Sequence, residues 1–142
     1  MRDHKFLFTC SVTKHRYYVN NKNITLNCNT QNVIYLITCN QCNLQYVGET
    51  KQKLKQRMNN HRRDIILQTN KTHLYRHFNN GICNINDLRI QPIEYINDNV
   101  HNSDSLRRHR EDYWMKELKT IYPCGLNEKS KDGDATKNIK NV

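Results

Sequence analysis

Asn32-Val33-Ile34-Tyr35-Leu36-Ile37-Thr38-Cys39 is answered a few residues later by Leu44-Gln45-Tyr46-Val47-Gly48-Glu49-Thr50. The first segment is a compact apolar run rich in β-branched residues, the pattern of a strand buried on both faces. Asn40-Gln41-Cys42-Asn43 reads as a turn, and Leu44 to Gly48 alternates apolar with polar like a returning strand. Tyr35 and Tyr46 then stand on adjacent antiparallel strands, and both phenols can project from one sheet face. Gly48 allows close backbone approach just beyond them.

Outward from this hairpin, Thr50 is a plausible N-cap for a helix over about 51–67, with Leu54, Met58, Ile65 and Ile66 as its apolar stripe. A shorter helix is expected over 72–79, stopped by Asn80-Gly81. Leu88 to Ile96 alternates as a third strand, which Pro92 confines to a sheet edge. Ser103 or Asp104 caps a last helix running to about Leu118, with Leu106, Tyr113, Trp114 and Leu118 facing inward. Before residue 32, Tyr17-Tyr18-Val19 and Ile24-Thr25-Leu26 suggest a short hairpin or irregular arm, and residues 128–142 read as a disordered tail. The expected fold is therefore α/β (α+β): a small, three-stranded, mostly antiparallel sheet flanked by about three helices. Its parts are an arm over 1–31, a domain over 32–127 and the tail.

The chain has 142 residues, 23 Lys and Arg against 13 Asp and Glu, and a formal charge of +10. That length suits one domain. With 36% hydrophobic residues and a mean hydropathy of -0.96, the core must be small. No run approaches the roughly 18–20 apolar residues of a membrane span. Phe6-Leu7-Phe8 is too short for a signal-peptide core, so a membrane or secreted protein is not expected. The excess charge points to a polyanionic partner whose counterions it displaces. An AT-rich coding bias explains the abundant Asn, but not the lack of any acidic residue from Lys51 to Arg63.

Arg57 and His61 lie four apart on the first helix and share a face. Set beside two tyrosines, they could form a phosphate-handling cleft. The guanidinium fork matches phosphate oxygens, and imidazole and phenol can exchange protons. Taken singly, each has a plainer reading: Tyr35 as a core aromatic, and Arg57 and His61 as part of an exposed basic face.

Val33-Ile34-Tyr35 and Tyr46-Val47-Gly48, with Arg57 and His61 downstream, resemble the signature of the GIY-YIG endonuclease superfamily. The similarity is closest to the endonuclease domain of Penelope-like retroelements. That resemblance includes the Thr-Cys-x-x-Cys tip, Gly48-Glu49-Thr50, Arg110-Glu111-Asp112-Tyr113-Trp114, Leu118-Lys119-Thr120 and Pro123-x-Gly125-Leu126-Asn127, and it spans roughly 32–127. It implies a DNA-nicking phosphodiester hydrolase. Tyr46 would act as general base, with Tyr35 orienting the nucleophile or phosphate and Arg57 neutralising transition-state charge. Glu111 would hold one Mg²⁺ or Mn²⁺, and Asn127 would brace the site. A free phenol ionises near pH 10, so the base role needs the cation and Arg57, or a relay through His61. Glu117 competes with Glu111 for the metal. Six residues separate them, about 240° around a helix, and the Arg-Glu-x-x-Trp context favours Glu111. Val33 replaces the Gly common in the superfamily and could crowd the cleft. The retroelement setting further implies a reverse transcriptase domain in a longer parent protein and an intracellular, nuclear location. The rivals are a non-catalytic, basic nucleic-acid-binding module and a repair-type incision nuclease.

Six cysteines without a secretion signal suit metal rather than disulfides. Cys39-x-x-Cys42 can aim two thiolates at one Zn²⁺ from a hairpin tip, with His73, His77 and Cys83 as candidates to complete the tetrahedron. The resemblance, in which His-x5-His is typical after the second helix, points to Cys39, Cys42, His77 and Cys83 as a structural zinc site. Cys10 and Cys28 lack further ligands. A redox role for the pair is disfavoured because Cys42 does not open a helix.

Overall fold

The computed structural model describes residues 5–19 and 26–129. Among these residues, two antiparallel sheets are built from five strands: β1 (Lys5–Thr9) with β2 (Arg16–Val19), and β3 (Val33–Cys39) flanked by β4 (Gln45–Thr50) and β5 (Leu88–Tyr95). Three α-helices follow the chain order, α1 (Leu54–Leu67), α2 (His73–His77) and α3 (Ser103–Glu117). The α/β class and the small antiparallel sheet are as expected. Ile24 and Thr25 and residues 130–142, where an extended segment and the tail were expected, lie outside the described residues.

Every residue of β3 is buried, because helices cover one face of the sheet and helix plus hairpin the other. Val33, Tyr35, Ile37 and Cys39 pack against Leu54 and Ile65 of α1 and Leu74 and Tyr75 of α2. Ile34 and Leu36 point the opposite way, towards Met115 of α3 and Phe8 of β1. Pro92 sits opposite Tyr35 in an edge strand, beside a register shift between Ile34 and Tyr35. A proline that donates no ladder hydrogen bond is tolerated there.

Several expectations need correction. Thr50 does not cap α1: it ends β4, paired with Val33, and its hydroxyl oxygen accepts from the Gln52 amide. The helix begins three residues later with Lys53 at the cap position, and its first free amides, Leu54 and Lys55, donate to the carbonyls of Thr30 and Cys28. On α1, Ile66 is exposed and His61 takes the buried position. On α3, Leu106 and Tyr113 face solvent, while Arg107 and Met115 are buried. Arg107 tolerates burial because its guanidinium donates to Glu49, Asp104 and Asn32. In the amino-terminal segment, Phe6-Leu7-Phe8 forms a strand, and Tyr17-Tyr18-Val19 is its partner.

Candidate active site

Alternation along β3 and β4 puts Tyr35 and Tyr46 on the same face. Tyr35 lies opposite Gly48 and Tyr46 opposite Ile37, and the ring centroids are 6.4 Å apart. A side chain at Gly48 would collide with the Tyr35 ring, so glycine is what lets that ring lie flat across β4. Val33 is fully buried in the same cluster and does not appear among the residues lining the cleft.

Helix α1 supplies the next layer. Arg57 Nε donates to Tyr35 Oη at 3.2 Å, and one turn later His61 Nε2 is 2.7 Å from the same oxygen. His61 Nδ1 lies 2.7 Å from Tyr75 Oη on α2, a contact the sequence reading did not anticipate. Burial, reinforced by the Arg57 charge, drives the His61 pKa down to about 3, so the ring is neutral at physiological pH. Burial pushes both phenols well above their ordinary value. For Tyr35 the Arg57 guanidinium works against that rise, and for Tyr46 the Tyr35 and Glu111 oxygens add to it. The protein's own charges therefore do not yield a phenolate.

Tyr46, Arg57 and Tyr75 line a cleft of about 420 Å³ together with Glu49, Arg108, Glu111, Asp112, Asn127 and Glu128. Glu111 comes from the far side, on α3. Glu117, its rival, lies elsewhere and accepts a hydrogen bond from Tyr17 at 2.7 Å. Asn127 is buried and clamps the backbone next to Tyr46: Oδ1 accepts from the Val47 amide and Nδ2 donates to the Val47 carbonyl, both at 2.8 Å. Three carboxylates besides Glu111 border the cleft. Glu49 is paired with Arg107, Asp112 with Lys116, and Glu128 with His73. Mg²⁺ is usually held through one or two carboxylates with water and phosphate oxygens completing its shell, and the carboxylates that line this cleft are donors of that kind.

Away from the cleft, Cys39, Cys42, His77 and Cys83 bring their ligand atoms within 4.8 Å of one another. Cys42 Sγ is 3.2 Å from His77 Nε2. A zinc tetrahedron with metal–sulfur bonds of about 2.3 Å has edges of roughly 3.8 Å, so the cluster is the right size to hold such an ion. Burial and the neighbouring thiols push the Cys83 pKa up to about 12. His73 is turned aside: its ring stacks on Tyr122 at 3.7 Å and meets Glu128.

Tyr46 of β4, Arg57 of α1 and Glu111 of α3 thus line one polar cleft, with Tyr35 and His61 buried behind it. The GIY-YIG catalytic domain model matches residues 31–127, and the chain belongs to that family of metal-dependent endonucleases. Among solved structures, it is similar to the catalytic domain of the homing endonuclease I-TevI (24% identity, TM-score 0.54, covering 70% of this chain and 99% of that one). A point mutant of the catalytic domain of the same intron endonuclease gives 24% identity and a TM-score of 0.58, covering 71% and 96%. At that identity the likeness concerns the fold. No curated protein shows a significant match. Among the described residues, no helix is long and apolar enough to cross a membrane.

Proposed function

We propose that this chain nicks DNA by hydrolysing a phosphodiester at the cleft between β4, α1 and α3. The observation that carries the reading is that Tyr46, Arg57 and Glu111, from three separate elements, line one cleft, with Tyr35 and His61 directly behind. Tyr46 takes the proton of the attacking water, and Tyr35 holds the nucleophile or phosphate in line. Arg57 stabilises the charge that builds on the phosphate, the kind of preorganised electrostatics that dominates catalysis. Asn127 keeps Tyr46 in place through the adjoining backbone. Glu111 would hold Mg²⁺ or Mn²⁺, which when bound would supply positive charge that lowers the Tyr46 pKa and favours departure of the 3′ oxygen. His61, held neutral, serves as a hydrogen-bond and proton-relay partner of Tyr35 rather than as a cation.

The Cys39-Cys42-His77-Cys83 cluster holds a structural Zn²⁺ in this reading. Its place at the hairpin tip supports a Penelope-like endonuclease, whose nick supplies the 3′ hydroxyl for a reverse transcriptase domain of a longer nuclear protein. The test is nicking of supercoiled plasmid by purified protein with Mg²⁺ or Mn²⁺. We expect open-circle product from the unsubstituted chain and none above background from Glu111→Ala, with DNA binding retained. Equal cleavage by Glu111→Ala would refute the metal assignment. DNA binding without cleavage in either cation would refute the catalytic reading.

A further inference from the structure

His61 lies between two phenols, with Tyr35 on Nε2 and Tyr75 on Nδ1, each 2.7 Å away. A neutral imidazole carries one N–H and one lone pair, so it donates to one of these oxygens and accepts from the other. Tyr35 fixes which. Its side chain is fully buried, and among the described residues its oxygen meets Arg57 Nε and His61 Nε2. A guanidinium can only donate. The Tyr35 hydroxyl proton is costly to leave unsatisfied in the interior, so it goes to Nε2. The His61 proton then resides on Nδ1 and is donated to the Tyr75 oxygen. Tyr75, which lines the cleft, keeps its own hydroxyl proton for whatever occupies that space.

We propose that Tyr75 ends a one-way chain of hydrogen bonds, Arg57 to Tyr35 to His61 to Tyr75, and offers its hydroxyl proton to a non-bridging oxygen of the bound phosphodiester. The direction of the chain follows from geometry and donor chemistry. The identity of the acceptor rests on the nuclease reading. Tyr75 also shares α2 with His77, so one short helix joins the Cys-His group to the cleft.

Two measurements test this. In ¹⁵N-labelled protein at neutral pH, the His61 imidazole should show a protonated Nδ1 and a bare Nε2, the reverse of the form free histidine prefers in water. Tyr75→Phe keeps the buried ring and removes only the oxygen. At saturating plasmid its cleavage rate should fall about 10²-fold, as for the loss of one transition-state donor, with KM little changed. The His61 proton should stay on Nδ1, because Tyr35 still donates to Nε2. A proton on Nε2 in the unsubstituted protein overturns the chain, and full-rate cleavage by Tyr75→Phe overturns the role of its hydroxyl. The tautomer measurement decides the direction even if Tyr75→Phe fails to fold. Absence of cleavage by the unsubstituted protein with every divalent cation would refute the nuclease reading instead, and the tautomer would still decide the chain.

Discussion

Tyr35 is fully buried, pressed over Gly48 with its oxygen shared between Arg57 and His61. Its neighbour His61 is where the environment leaves a thermodynamic mark. Burial holds the folded-state pKa near 3, against about 6.5 for an unfolded histidine. Between those values the unfolded chain binds a proton that the folded chain refuses. Stability from this group is therefore present above about pH 6.5 and is lost as pH falls towards 3. The contribution to the slope is at most about 1.4 kcal/mol per pH unit. Urea unfolding at pH 7, 6, 5 and 4 should show this loss, and His61→Phe should flatten it; an unchanged slope in the variant would place the titrating group elsewhere. At this scale the motif positions foretold which residues would be neighbours: Tyr35, Arg57 and His61 share hydrogen bonds, and Tyr46 and Asn127 line the same cleft as Arg57. Tyr75 was not legible. It is one aromatic in a five-residue polar helix, and neither spacing nor composition marks it.

Among the elements, the mismatches share one physical origin: tertiary partners outvoted local signals. Helix α1 starts late because carbonyls of Cys28 and Thr30 accept its first amides, a cap supplied from a distant loop and invisible to local pattern. The apolar stripe of α3 misled because Arg107, a residue sequence reading assigns to water, is buried by its bonds to Glu49, Asp104 and Asn32. The short helix α2 depends most on its neighbours. Five residues are too few to be stable alone, and its carboxyl end carries His77 of the Cys-His group that could hold a metal. If the proposed zinc is bound there, chelating it, or making Cys83→Ser, should loosen α2 and with it Tyr75. Metal analysis of Cys83→Ser should show lost zinc, thermal unfolding should shift to lower temperature, and nicking should weaken although no cleft residue was altered. Undiminished zinc would move the fourth ligand to another residue.

For the whole molecule, the central sheet needs cover on both faces, and only one cover lies wholly within the family match. The match begins at residue 31, yet Phe8 and Cys10 are buried in the cluster that packs on Ile34, Leu36 and Ile93. The hairpin is tied down by more than apolar contact. Gln45 Nε2 donates to the Thr9 carbonyl, Gln91 Nε2 to the Leu7 carbonyl, and the Tyr17 hydroxyl to Glu117. Phe8 also stacks on Tyr17 at 4.8 Å and meets Trp114 edge-on at 5.9 Å. The sequence suggested a short hairpin or irregular arm here but not its contact with the sheet, because a Phe-Leu-Phe run does not name its partner face. In a chain with so little apolar material, losing one such ring should matter more than in a larger domain. Phe8→Ala removes a buried aromatic and should cost about 3–5 kcal/mol, a large part of the roughly 5–15 kcal/mol that holds a domain of this kind together. Chemical denaturation should therefore show a sharply lower midpoint, and nicking at moderate temperature should fall with it although Phe8 does not line the cleft. A midpoint unchanged by Phe8→Ala would mean that the hairpin rests on the sheet without stabilising it.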